Sequence, residues 1–194
     1  MFERIIGFLK LDINTIEAVE ADESATSQAA IVVGVVAILA AIGAFFGAQA
    51  GNAIMDNFGQ FSDMDIPFDV PAISPIGAAL NALIGAFVAW VVWSALTYFI
   101  GTRMFGGQAT MNEMLRVIGF AQAPRLLNVF SFIPCLGAIL VFVAWIWSIV
   151  VGFVAIRQGL DLDNAKTALT ILISFVGAIV VNWLIVGPIL GLLF

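Results

Sequence analysis

The chain is built of long apolar runs separated by short polar breaks. Residues 29–51, 76–101, 136–156 and 168–194 each reach the ~20 mostly apolar residues needed to cross ~30 Å of hydrocarbon. A further run, 111–134, is interrupted by Arg116, Pro124 and Arg125. Its start is well marked, because Gly106 and Gly107 make a turn and Thr110 and Glu113 have capping-box spacing. Pro124 predicts a kink in it. Without this run the following hairpin is too long for one crossing and too short for two. The pattern therefore predicts an all-α fold, a polytopic membrane helical bundle with five transmembrane helices over residues 29–194. Residues 52–75 form an acidic loop between the first two spans. Residues 1–28 precede the bundle, and there Phe2, Ile5, Ile6 and Leu9 share one helical face while Glu3, Arg4 and Lys10 face away. That pattern predicts an interfacial amphipathic helix, either lying on the inner leaflet or docking a cytoplasmic partner. Asn14 and Glu17 mark a second helix start.

Composition supports the same solvent. Hydrophobic residues make up 62% of the chain and charged ones 10%, against about 25% charged in a soluble domain. Continuous runs favour helices over a barrel, whose strands alternate in ~10-residue segments. No cleavable signal is predicted, since Glu17, Glu20, Asp22 and Glu23 stand where a basic region would precede the first apolar run. The chain has no histidine and one cysteine, Cys135. That excludes His-ligated cofactors, structural zinc and Ser-His-Asp or Cys-His catalysis. No cofactor and no metal is expected. The net charge of −6 argues against a nucleic-acid partner.

Basic residues set the orientation. The loop 52–75 has none and holds Asp56, Asp63, Asp65 and Asp69. Arg4, Lys10, Arg103, Arg116, Arg157 and Lys166 all fall on the other side of a five-span bundle. The expected topology has the N-terminus in the cytoplasm and the acidic loop and C-terminus outside.

Three features are candidates for function. Gly43, Gly47 and Gly51 form a double G-x-x-x-G beside Ala40, Ala44 and Ala48, and Ala78, Ala82 and Ala86 repeat the idea on the second span. Such faces let helix backbones approach in lipid, either within one bundle or between two copies. Arg125 lies ~18 Å along the third span from Glu113, and Asn182 ~21 Å along the last. With Gln122, Asn128 and Asn81 they suggest a polar cluster near the midplane, serving as glue between spans, as a snorkelling arginine, or as a site for an anionic group or lipid head. The acidic loop fails the EF-hand pattern, with no glycine at the sixth position and no acid at the twelfth. Trp90, Trp93, Trp145, Trp147 and Trp183 are scattered through the spans and predict packing.

From Tyr98 to Ala168 the chain resembles the YIP family of small polytopic membrane proteins, the Ypt/Rab-interacting proteins and their prokaryotic relatives. The resemblance rests on Gly106-Gly107, Leu115-Arg116, Gly119-Phe120-Ala121 and Ala123-Pro124. It continues through Trp145, Trp147, Gly152, Arg157-Gln158, Leu162 and Ala165-Lys166. It implies five spans with a cytoplasmic N-terminus. Eukaryotic members bind prenylated Rab-type GTPases, act in vesicle traffic and carry a long polar tail, which the ~28 residues here do not match. The short tail implies a prokaryotic relative in the cytoplasmic membrane. Arg125 departs from the apolar residues of the family, so its role belongs to this chain.

The leading expectation is a non-enzymatic membrane protein that binds another integral membrane protein or organises the bilayer around it, with a homodimer as one form. The alternative is a small transporter or channel using the cluster around Arg125, against which five spans give no inverted repeat. A lipid-modifying enzyme is third, because Ser131 and Ser148 have no visible activator.

Overall fold

The computed structural model describes residues 1–61, 72–131, 133 and 136–193. Asp63, Asp65 and Asp69 of the acidic loop lie outside the described residues, as do Pro134 and Cys135. Every described element is a helix. In order they are α1 (Phe2–Leu9), α2 (Ile13–Ala21), α3 (Ala25–Phe61), α4 (Pro75–Phe105) and α5 (Met111–Phe120). A 3-10 helix (Ala123–Phe130) follows, then α6 (Leu136–Gly159), α7 (Asn164–Val181), a π-turn (Asn182–Val186) and α8 (Gly187–Leu193).

Local chemistry sets the ends of these helices. Asp12 caps α2 by accepting from the Asn14 N–H at 3.2 Å, two residues ahead of the start expected at Asn14. Ser74 caps α4 with Pro75 in its first turn. The capping box of α5 forms as expected: Thr110 Oγ1 accepts from the Glu113 N–H at 3.3 Å, and the Thr110 N–H donates to Glu113 Oε2 at 2.6 Å. Gly106 ends α4 at φ +75°, a left-handed conformation that glycine adopts without strain.

Among the described residues four helices are long and apolar enough to cross a membrane: α3, α4, α6 and the α7–α8 unit. The third expected span, 111–134, is built differently, which makes the count of five approximate. It is a 10-residue α-helix followed by an 8-residue 3-10 helix. Laid end to end the two cover ~30 Å, but neither crosses alone. Proline has no N–H to donate and its ring clashes with the carbonyl four residues back. Accordingly α5 ends at Phe120, four residues before Pro124. α3 also outruns its expected range, since 37 residues extend ~55 Å.

α4 is the central post, packed against α3, α5 and α7. The buried core gathers at the end where α1 and α2 pack on α5 and α6. Phe8, Ile16, Val19, Met114, Phe120 and Leu160 there are fully enclosed. Two ties close this end. The Gln108 N–H donates to Leu160 O at 3.0 Å, and the Trp147 indole donates to Leu9 O at 3.0 Å. At the opposite end, Asn52 pairs with both backbone groups of Ile73, at 2.9 and 3.0 Å. That fixes where the chain enters α4. Between the ends the bundle is covered with exposed apolar side chains, Phe46, Phe99, Leu172 and Trp183 among them, which is the surface lipid requires.

Candidate functional sites

The first site is the 3-10 helix. Its backbone bonds run from residue i to i+3: Arg125 N–H to Gln122 O at 2.9 Å, and Ser131 N–H to Asn128 O at 3.0 Å. At three residues per turn, side chains three apart eclipse one another. Gln122, Arg125, Asn128 and Ser131 therefore stand in one straight polar ridge. The other two ridges are Ala123, Leu126 and Val129, and Pro124, Leu127 and Phe130. An α-helix would have wound the four polar residues around its axis. Arg125 and Ser131 are exposed, and Gln122 and Asn128 half-buried. Among the described residues the Arg125 guanidinium has no ion-pair partner, the single ion pair being Arg4–Asp22 at 2.5 Å. Asn128 Oδ1 is buried without a donor among the described residues.

The remaining members of the expected midplane cluster stand elsewhere. The 3-10 helix packs mainly on α6, α3 and α1. Asn81 is on α4, lining a cleft of about 650 Å³ with Ala44, Ala78, Ala82, Leu190 and Gly191. Asn182 is exposed at the start of the π-turn that interrupts the last span. The structure thus joins Gln122, Arg125 and Asn128 and leaves the two asparagines on separate faces.

The second site is the glycine face of α3. Among the described residues, a Cβ added at Gly43, Gly47 or Gly51 would meet nothing within 4 Å. Two of the adjoining alanines are used within the chain: Ala48 is buried, and Ala44 faces Ala78 and Ala82 across the cleft, while Ala40 is exposed. By contrast Gly119 sits against α3 so closely that a Cβ there would lie 2.7 Å from Ala29 Cβ.

Two further groups were not singled out in the sequence. Arg116 is 4% exposed. Its Nε donates to the Glu20 carbonyl at 3.0 Å and its Nη2 joins the same oxygen, so a cation closes the C-terminal end of α2. The Glu20 carboxyl is pushed up to about 7, chiefly by burial and then by Glu113, Asp161 and Glu17, with Arg116 opposing. Asp22 is held down at about 2 by hydrogen bonds from Ser24 and Arg4. On α7, Thr167, Thr170 and Ser174 are fully buried where that helix packs on α4, and their spacing of three and four was the sign available beforehand. Ser94, Thr170 and Ser174 hydroxyls have no partner among the described residues. No group of three acidic or cysteine side chains among those residues is arranged to hold a metal.

Long apolar helices, lipid-facing surface and a cap at one end define a polytopic helical membrane protein. The Yip1 domain matches residues 14–186, and the chain belongs to that family. Comparison with curated proteins and with solved structures gave no match.

Proposed function

We propose that this chain is a non-enzymatic adaptor or scaffold that binds another integral membrane protein along α3, in the cytoplasmic membrane of a prokaryotic cell. The observation that carries the reading is the vacant glycine face. In hydrocarbon, helix association depends on close packing, and glycines at four-residue spacing supply it. Glycine is the poorest ordinary helix former. Three in register, where an added Cβ would meet nothing among the described residues, are best explained by a helix from outside the chain. The N-terminal hairpin fits the same picture. α1 turns Phe8 inward and leaves Phe2 and Ile6 exposed beside Glu3 and Lys10, the pattern of a helix lying at the headgroup boundary. The basic residues at that end support a cytoplasmic side for it.

The test is extraction into nanodiscs followed by native mass spectrometry. The expected result is a stoichiometric polypeptide, a different protein or a second copy, that is lost in Gly47→Leu while the thermal midpoint of the chain stays within ~2 °C. A lone wild-type chain carrying only lipid would sink the reading.

A further inference from the structure

We propose that the last span carries a contact face for a second copy of this chain, centred on Asn182. The face belongs to α7 and the π-turn after it. α7 packs on α4 and α6, away from the glycine face of α3, so the proposal stands or falls separately from the adaptor reading.

Asn182 sits inside the hydrocarbon. A Cβ built on Gly177 would lie 3.5 Å from Leu96 Cδ1, and one on Gly85 would lie 3.8 Å from Leu190 Cδ1. These two contacts set the register of the last span against α4, which runs the other way. Asn182 lies between Gly177 and Leu190, so it stands level with the stretch of α4 between Leu96 and Gly85, near the middle of that 31-residue helix. From that level α4 extends ~20 Å in each direction, more than the ~15 Å from midplane to headgroups.

At this depth Asn182 is exposed on the outside of the bundle. Its amide carries two N–H donors and an acceptor oxygen, and lipid tails answer neither. The backbone beside it is open as well. The Gly187 N–H donates to Asn182 O, five residues back, and Pro188 has no N–H. The carbonyls of Trp183 and Leu184 thus lose the donors that residues 187 and 188 bring them in an α-helix. Trp183 and Leu184 are 78% and 70% exposed. One patch of the last span therefore offers donors and needs donors, in a medium that supplies none.

A second copy answers both needs. Copies inserted with the same topology carry Asn182 at the same depth. A two-fold axis along the membrane normal then brings the two side chains opposite one another with no adjustment in height. Each amide donates to the amide oxygen or an open carbonyl of the other and accepts in return. An unrelated helix would need a polar residue of its own at that level, and a headgroup is ~15 Å away. The surrounding surface suits the contact. Leu172, Phe175, Ile179 and Asn182 recur at spacings of three and four and are all exposed, which is the seam of two helices crossing at about 20°. A single asparagine in such a seam fixes register and copy number.

The experiment reconstitutes the full chain in liposomes, with donor and acceptor fluorophores on an added N-terminal tag. Self-association is read by energy transfer as the protein-to-lipid ratio is varied. Wild type is expected to dimerise about tenfold or more tightly than N182L, and N182Q, which keeps the amide, should retain most of the affinity. In a C135S background, I179C should give an oxidised dimer across the face, and V180C, exposed but about 100° around the helix, should not. If N182L does not fold, the two cysteine variants carry the test. A monomeric wild type overturns the proposal, as does a folded N182L that dimerises as tightly as wild type or equal cross-linking from both cysteines. Loss of the dimer in Gly47→Leu but not in N182L assigns self-association to α3 and overturns this face. A different polypeptide that stays with wild type and is lost from N182L, without self-association, assigns the face to that partner and overturns the second copy.

Discussion

Gly119→Ala tests the packing at the crossing of α5 and α3. The new Cβ would lie 2.7 Å from Ala29 Cβ, 3.3 Å from Ala29 Cα and 3.3 Å from the Trp90 indole nitrogen. Carbon atoms sit comfortably at ~3.5–4.0 Å, so α5 must withdraw by roughly 1 Å. Nothing flexible is available to give way, because Ala29 Cβ is fixed to the α3 backbone and is fully enclosed. The withdrawal also strains the bond from Trp90 Nε1 to Leu115 O, 3.1 Å long. Overpacking between fixed atoms costs about 2–3 kcal/mol, and alanine recovers about 1 kcal/mol over glycine in a helix. The net loss is about 1–2 kcal/mol. Gly47→Ala is the control, since its Cβ meets nothing among the described residues. It should leave the isolated chain unchanged or slightly more stable. The assay is unfolding of the purified monomer in detergent, followed by tryptophan fluorescence. Adding Ala29→Gly to Gly119→Ala removes the nearest clashing atom, and the double-mutant cycle should show a favourable coupling of about 1 kcal/mol. If Gly119→Ala is as stable as wild type, or Gly47→Ala is equally harmful, the close approach described here is not the reason for glycine at 119.

Other expectations concern the N-terminal hairpin. Trp147→Phe removes the indole bond to Leu9 O; faster amide exchange across residues 2–9, with the spans unaffected, is the expected outcome. Arg116→Met leaves the Glu20 carbonyl without its charged donor and should cost about 2 kcal/mol in chemical unfolding, with Arg116→Lys recovering only part because it lacks the guanidinium fork. Glu20 gives a pH dependence. Its folded value of about 7 exceeds the ordinary 4.5, so the folded state binds the proton more tightly. The contribution is complete below pH 4.5 and is lost as pH rises through 7. Hairpin stability, read by amide exchange, should therefore fall between pH 5 and 8, and Glu20→Gln should flatten the profile. Asp22 acts with the opposite sign. Its lowered value stabilises above pH 3.8 and is lost as pH falls towards 2, so Asp22→Asn should matter at neutral pH and not in acid.

The resemblance noted over residues 98–168 extends, as a family match, to 14–186. The medium, the helices and their caps followed from local chemistry. Apolar runs of sufficient length demand helices in lipid whatever their neighbours, and a capping box needs residues only three apart. The third span shows where local reasoning stops. Pro124 announced a break, yet whether the chain would kink and continue as α-helix or tighten to i→i+3 bonding depended on what packs beside it, here α6 and α3. That choice decides the ridge. Gln122, Arg125, Asn128 and Ser131 form a straight line only at three residues per turn, so a cluster argued from depth alone also gathered Asn81 and Asn182, which stand on other elements away from the ridge. The glycines followed the same division. Spacing identified Gly43, Gly47 and Gly51 as places of close approach, because the absence of a side chain is a property of the residue, whereas Gly119 stood out only within the family resemblance. Which glycine is filled is a property of the assembled bundle, where α3 lies against Gly119 of α5 and nothing among the described residues comes within 4 Å of a Cβ at the other three.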